Sequence, residues 1–146
     1  MSNYFVDKYE GNRLTSYKCP AGIWTIGQGI TVYPNGEKVK EGETITKEYS
    51  QALTTDYFIR NINPVIMEMK KDFTPKQKEA LGSLIFNIGK NAFKKSSLYK
   101  AIMNDDLKGI FTNWDWIGAG GKPLLGLARR RAEELSWFLE GWNERK

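Results

Sequence analysis

Three side chains near the N-terminus, Glu10, Cys19 and Thr25, carry a carboxyl, a thiol and a hydroxyl group, and a carboxylic acid is what the cleavage of a glycosidic bond requires. A glutamate in a partly apolar cleft holds its proton near neutral pH and can protonate the leaving oxygen. A second group on the opposite face must then activate water or stabilise the oxocarbenium-like transition state. Because the sequence contains no His, acid–base chemistry must use carboxylates, Lys, Tyr or the single thiol.

The elements around these residues predict how they come together. A short helix over residues 3–10, capped by Ser2 or Asn3, places Glu10 at its end, and Gly11 permits a sharp reversal. Three short strands follow, predicted over Arg13–Tyr17, Ile23–Gln28 and Ile30–Tyr33, with a turn at Tyr33–Gly36. Residues on this ribbon can face the helix end across a cleft whose apolar lining would come from Tyr9, Tyr17, Trp24 and Ile26.

The middle of the chain predicts helices. Thr46 caps a long helical run, which Pro64 should break just after Ile62. Thr74-Pro75 begins a helix that ends at Gly89 and buries Ala80, Leu81, Leu84, Ile85 and Ile88. Ser96 or Ser97 begins a short helix, and Asp105 or Asp106 begins another that ends in the loop at residues 118–123.

The last predicted helix runs from about Leu125 to Trp142. Its apolar residues recur at helical spacing and predict the buried face, which consists of Ala128, Ala132, Leu135, Leu139 and Trp142. The charged residues are expected outside that face; they are Arg129, Arg130, Arg131, Glu133 and Glu134. The predicted fold class is therefore α+β, with one small sheet followed mostly by helix.

Composition is typical of a globular domain rather than of a disordered chain. The 146 residues are 40% hydrophobic and 27% charged, which suits one domain with a core of its own. The start of the chain has no apolar run, so neither a signal peptide nor a membrane anchor is expected. A single Cys and no His argue against a disulfide and a zinc site. The net charge of +5 favours polyanionic partners, either nucleic acid, anionic lipid or an acidic cell wall.

The pattern Glu10-x8-Cys19-x5-Thr25, followed by Ile26-Gly27-x-Gly29, resembles the catalytic signature of the phage-type lysozymes (glycoside hydrolase family 24). In that family an Asp stands where this chain has Cys19. The resemblance implies that Glu10 is the general acid, that Cys19 replaces the carboxylate, and that Thr25 positions water. It also implies a lysozyme-like fold over residues 1–146, with a three-stranded sheet lobe to about residue 45. A connecting helix over about 46–66 would join that lobe to a helical lobe over about 67–146.

Two further blocks carry the same resemblance. Residues 74–89 look like the core helix of the family's second lobe, which implies that Phe86 and Asn87 reach the cleft floor. Ser97 would lie along the saccharide groove. Residues 126–133 resemble the start of the family's final helix, where an Arg approaches the catalytic Glu, and Arg130 is preferred to Arg129 for that role.

The resemblance implies a peptidoglycan hydrolase that cleaves between N-acetylmuramic acid and N-acetylglucosamine, acting as a phage endolysin. No cofactor or metal is expected, and a monomer suffices. It would be made in the host cytoplasm, with no stable membrane association, and would need a separate membrane-permeabilising protein to reach the wall. One alternative is a catalytically silent wall-binding module in which Cys19 marks a lost active site. A nucleic-acid binder is a weaker alternative, because the basic residues follow no nucleic-acid-binding signature.

Overall fold

A computed structural model of the chain describes residues 4–116, 118–119 and 122–144. The predicted caps Ser2 and Asn3, residue 117, and residues 120 and 121 of the predicted loop lie outside the described residues. The described chain divides into two compact units, with the boundary between Arg60 and Asn61. None of the described helices combines the length and the apolar character that crossing a membrane requires.

The first unit begins with helix α1 (Tyr4–Tyr9) and an antiparallel hairpin of strands β1 (Arg13–Lys18) and β2 (Trp24–Gly27). Tyr17 lies opposite Thr25 in the hairpin, and Lys18 lies opposite Trp24. The predicted third strand is replaced by single bridges, which join Ile26 to Ile30 and Val32 to Lys38. A tight loop before Ile30 and the turn at Tyr33–Gly36, closed by a 2.9 Å bond from Gly36 N to Tyr33 O, leave too few consecutive residues for a ladder.

A helical run crosses the boundary between the two units. Helix α2 (Lys47–Tyr57) begins at Thr46, whose hydroxyl accepts from Tyr49 N at 3.0 Å, as predicted. A π-helical turn (Phe58–Ile62) follows, and helix α3 (Asn63–Glu68) begins immediately after it with Pro64 in its first turn. The predicted break after Ile62 is therefore a change of helix type. Proline lacks an N–H, and it is tolerated where the first turn of a new helix leaves that N–H unused.

In the second unit, helix α4 (Pro75–Ile88) supplies the centre of the core. A capping box between Thr74 and Gln77 begins it, and Gly89 ends it, as predicted. The predicted buried residues of α4 are confirmed except that Ile88 is only half-buried. Helix α5 (Lys90–Lys94) follows, and the hydroxyl of Ser96 and the carboxylate of Asp106 cap helices α6 (Ser97–Met103) and α7 (Leu107–Asn113).

The chain after Asn113 differs from the prediction. Helix α7 ends there rather than in the loop at residues 118–123, and two very short strands, β3 (Gly118–Ala119) and β4 (Lys122–Pro123), pair with each other. Helix α8 (Leu125–Glu144) then packs against α4. The α+β class is confirmed.

The predicted buried face of α8 was wrong. Ala132 is exposed, whereas Ala128, Leu135, Leu139 and Trp142 are only half-buried. The buried residues are instead Arg130, Arg131, Glu134, Phe138 and Gly141. Charged side chains occupy this face because they neutralise one another there, which makes their burial tolerable.

Candidate active site

Glu10 occupies the first position after helix α1. Its N–H continues the helical pattern by donating to Val6 O at 2.9 Å, and its side chain is half-buried. Gly11 then turns the chain with φ of +71°, which leads directly into β1. The helix end therefore places Glu10 directly before the hairpin, as predicted.

Cys19 lies in the loop that joins β1 to β2. Its carbonyl oxygen accepts from Gly22 N at 2.8 Å, and its N–H donates to Ile23 O at 3.0 Å. Pro20 occupies the second position of this four-residue turn, where its fixed φ is favourable. The short closed loop holds the backbone of Cys19 in place, and its side chain is half-buried and makes no disulfide.

The surroundings of the Cys19 sulfur favour the thiolate. Donation from the backbone N–H of Ile23 is the largest effect, and it lowers the pKa of the Cys19 thiol against an opposing contribution from burial. The backbone N–H of Ala21 and the hydroxyl of Thr25 lower the thiol pKa further. Hydrogen bonds to the charged form lower a pKa, so this loop raises the fraction of thiolate at a given pH.

Thr25 lies on β2 with its side chain turned inward, and 4% of the residue is exposed. Its hydroxyl donates to Ile23 O at 2.9 Å and also reaches the Cys19 sulfur. The structure thus brings Cys19 and Thr25 into direct contact, within the same unit that holds Glu10.

Of the four residues predicted to line the cleft, only the three aromatic ones are partly exposed. Ile26 is fully buried in the core, whereas Tyr9, Tyr17 and Trp24 are half-buried. The guanidinium carbon of Arg13 lies 4.1 Å from the centre of the Tyr17 ring, and Lys18 Nζ lies 5.5 Å from the Trp24 ring. These cation–π contacts hold the two aromatic rings against the hairpin.

The sequence Gly27-Gln28-Gly29 forms a tight loop, which is closed by the two backbone hydrogen bonds that Ile26 and Ile30 exchange. Gly27 has φ of +65°, and a Cβ there would lie 2.7 Å from Ser50 Oγ on α2. Glycine is therefore required for both reasons, and the loop lies close against α2. Its middle residue, Gln28, is buried, although no sequence motif indicates a role for it.

The predicted saccharide contacts lie in the second unit. Phe86 is half-buried, and Asn87 and Ser97 are exposed at the end of α4 and the start of α6. The Asn87 carbonyl oxygen accepts from Arg131 at 2.8 Å, which leaves the orientation of the amide defined. Ser96, rather than Ser97, caps α6, so the Ser97 hydroxyl is not used as a cap.

Arg130 is 2% exposed and belongs to a buried cluster, which we call the Glu134 cluster, of Ser83, Trp114, Arg130, Arg131 and Glu134. Its Nε donates to Ser83 Oγ at 3.1 Å and lies 3.3 Å from Glu134 Oε2. Arg131 donates to the same oxygen at 2.8 Å, Trp114 Nε1 donates to Oε1 at 3.2 Å, and Ser83 donates to Oε2.

The Glu134 cluster contradicts the expectation that Arg130 and Arg131 lie outside the buried face of α8. Arg129, by contrast, is exposed. The available signal was the spacing of Arg130, Arg131 and Glu134, because residues three and four apart on a helix are neighbours. Among the described residues, no three His, Cys, Asp or Glu side chains are grouped so as to hold a metal ion.

Known proteins are similar to this sequence over most of its length. The chain matches the phage lysozyme family over residues 7–134, a range that includes Glu10, Cys19, Thr25 and the Glu134 cluster. The endolysin of Acyrthosiphon pisum secondary endosymbiont phage 1 is 35% identical over 138 residues, covering 91% of this chain and 91% of the relative. The SAR-endolysin of Enterobacteria phage P21 is 36% identical over 139 residues, covering 92% of this chain and 80% of that relative.

Solved structures agree with the sequence comparison. A variant of P22 lysozyme is 34% identical, with a TM-score of 0.79 over 95% of this chain and 97% of that one. The muramidase domain of SpmX from Asticaccaulis excentricus is 29% identical, with a TM-score of 0.80 over 93% of this chain and 92% of that one. The lysozyme-like fold expected from the sequence is thereby confirmed, and the chain belongs to the phage lysozyme family.

Proposed function

We propose that Glu10, Cys19 and Thr25 form the catalytic group with which this phage-type lysozyme hydrolyses peptidoglycan. As a member of its family, the protein is a glycoside hydrolase of the muramidase type, acting on the β-1,4 bond between N-acetylmuramic acid and N-acetylglucosamine. The observation that carries the proposal is local to one unit. The half-buried Glu10 ends α1, while the Cys19 thiol and the Thr25 hydroxyl contact each other on the adjoining hairpin.

Glu10 is the general acid in this proposal. It gives its proton to the glycosidic oxygen as the bond to the anomeric carbon breaks, and a positioned acid contributes roughly 10²- to 10⁴-fold in rate. Positive charge then develops on the sugar ring, and a water molecule adds to the anomeric carbon. The proton of that water leaves to the second group, so that one water is consumed for each bond cleaved.

Cys19 is the second group. The N–H donors that lower the pKa of its thiol make a thiolate available at lower pH than for an ordinary cysteine. A thiolate can accept a proton from water and can stabilise positive charge at the anomeric carbon. Thr25 supports both roles, because its hydroxyl can donate either to the sulfur or to the Ile23 carbonyl oxygen.

We further propose that Phe86, Asn87 and Ser97 bind the saccharide chain. Asn87 is the best supported of the three, because Arg131 binds its carbonyl oxygen and leaves the amide N–H groups available to a sugar hydroxyl. Arg130 is 2% exposed and bonded to Ser83 and Glu134, so for this residue we propose an indirect role: it supports the Glu134 cluster, whose Arg131 binds Asn87.

We also propose that the protein acts as an endolysin from the host cytoplasm, reaching the wall after a separate protein has permeabilised the membrane. Relatives that carry the name SAR-endolysin and relatives that carry the name endolysin are both similar to this chain. Expression of the protein inside bacterial cells, with and without a membrane-permeabilising protein, tests this proposal. Lysis in both cases would contradict it.

The catalytic proposal is tested by the release of reducing ends from purified peptidoglycan. Glu10→Gln should lower the rate by at least about 100-fold. Glu37→Gln is the matched control, since it changes an exposed carboxylate of the same unit and should leave the rate unchanged. Cys19→Asp should retain activity and Cys19→Ser should lose most of it. Full activity in Cys19→Ser would exclude a role for the sulfur, and no release by the unaltered protein would favour a silent wall-binding module.

A further inference from the structure

Gln28 is a buried glutamine whose two polar ends are both bonded. It is 1% exposed. Its Nε2 donates to Asp7 Oδ1 at 2.6 Å, and its Oε1 accepts from Thr54 Oγ1 at 2.6 Å. One side chain in the loop after β2 therefore joins helix α1 to helix α2.

A second hydrogen bond, one turn earlier on α2, joins that helix to the residue that precedes β1. Ser50 is fully buried, and its hydroxyl donates to Asn12 Oδ1. Thr54 Oγ1 also lies 3.3 Å from Ser50 O, so the two α2 residues lie on one face of the helix. We call Gln28, together with Ser50 and Thr54 of α2, the α2 clasp.

The two attachment points of the α2 clasp lie on either side of Glu10. Asp7 precedes Glu10 by three positions, and Asn12 follows it by two. Asp7 is bonded to Gln28, which contacts α2, and Asn12 is bonded to Ser50 on α2; both partners are at most 1% exposed. The segment that carries the Glu10 carboxylate is thus fixed before and after the residue itself.

The α2 clasp is also continuous with the strand that carries Thr25. Gln28 follows Thr25 by three positions, and Gly27 between them lies so close to α2 that a Cβ would meet Ser50 Oγ at 2.7 Å. The same contacts that hold α1 therefore set where the end of β2 lies. Buried polar networks of this kind specify one arrangement, because a displaced partner leaves buried groups unpaired.

We propose that Gln28 is a positioning residue, which through Asp7 and Thr54 fixes the carboxylate of Glu10 relative to Cys19 and Thr25. The inference rests on the proposed role of Glu10. Gln28 does not act on the substrate; its two hydrogen bonds set the distance at which the acid and the hairpin meet the glycosidic bond. A displacement of about 1 Å at such a site can reduce the rate by about 100-fold.

The test compares Gln28→Leu with Gln77→Leu. Gln77 is the matched control because it is also a fully buried glutamine, bonded to Phe138 O and to the cap of α4, but lies in the other unit. Hydrolysis of soluble peptidoglycan strands gives kcat and KM for each. We expect kcat to fall by about 10- to 100-fold in Gln28→Leu at nearly constant KM, and to fall far less in Gln77→Leu. If the two variants lose the same fraction of kcat for the same loss of thermal stability, the proposal is overturned.

A charge exchange tests the same proposal without relying on either leucine variant. Gln28→Glu sets a second carboxylate against Asp7, which should lower kcat. Adding Asp7→Asn restores a donor–acceptor pair, so the double variant should recover at least half of the lost kcat. Failure of Asp7→Asn to rescue Gln28→Glu, in a folded protein, would contradict the proposal. Glu10→Gln is measured alongside, and if it stays active the proposed function fails. If Glu10→Gln is inactive but the Gln28 variants keep their kcat, only this inference fails.

Discussion

The Glu134 cluster gives a prediction whose size follows from burial. Glu134 is fully buried, and it faces Arg130 and Arg131, each 2% exposed, which lie within 3.3 Å and 2.6 Å of its carboxylate oxygens. Glu134→Ala removes the only negative charge of the cluster as defined and leaves two buried guanidinium groups without it. Breaking a buried ion pair from one side costs about 3–5 kcal/mol, because the remaining charge is no longer compensated.

The control is Glu140→Ala on the same helix. Glu140 pairs with Lys76, but about half of each side chain is exposed, at 52% and 46%. An exposed ion pair contributes at most about 1 kcal/mol, so this variant should be nearly as stable as the unaltered protein. The two variants share the residue type, the substitution and the helix, and they differ in the burial and in the partners of the carboxylate.

Urea unfolding followed by tryptophan fluorescence measures both variants, and Trp114 lies within the cluster itself. We expect the free energy of unfolding of Glu134→Ala to fall by about 3–5 kcal/mol, which corresponds to a decrease in Tm of roughly 10 °C. If Glu134→Ala and Glu140→Ala lose the same amount, the buried cluster does not stabilise α8 against α4 and the reasoning is refuted.

Two further predictions concern the thiol and a close contact. Alkylation of Cys19 by iodoacetamide should show a pH midpoint below the usual value of about 8.5, because donors to the sulfur lower the thiol pKa, and Thr25→Val should raise that midpoint; an unchanged midpoint in Thr25→Val would contradict the assigned contact. Gly141→Ala should destabilise the protein by about 1–3 kcal/mol, since a Cβ at Gly141 would collide with Thr74 and Gln77 of the α4 capping box. Gly126→Ala on the same helix meets nothing within 4 Å and should be neutral or stabilising in thermal unfolding; equal effects of the two would refute the packing argument.

The sequence was sufficient for features that depend on neighbouring residues. The caps at Thr46 and Thr74, the turn at Tyr33–Gly36 and the stop at Gly89 all use hydrogen bonds or backbone angles set within a few residues. The placement of Glu10 at a helix end and of Cys19 in the hairpin follows from the same local signals. These positions could therefore be predicted without any tertiary information.

The features that the sequence did not predict depend on distant partners. Arg130 and Arg131 can be buried because Glu134 compensates their charge and Ser83 accepts a hydrogen bond from Arg130. The general preference of charged residues for the surface therefore predicts the wrong buried face for α8. The sequence also gives no signal for Gln28, because its two hydrogen-bond partners, Asp7 and Thr54, are far from it along the chain. The π-helical turn before Pro64 likewise depends on the helix resuming after it.

The most direct test of the central claim identifies the bond that is cleaved. Purified peptidoglycan is digested with the unaltered protein and with Glu10→Gln, the new reducing ends are reduced with borohydride, and the products are identified by mass spectrometry. We predict reduced N-acetylmuramic acid ends with the unaltered protein and none above background with Glu10→Gln. Reduced N-acetylglucosamine ends, or equal release by Glu10→Gln, would contradict a muramidase that depends on Glu10.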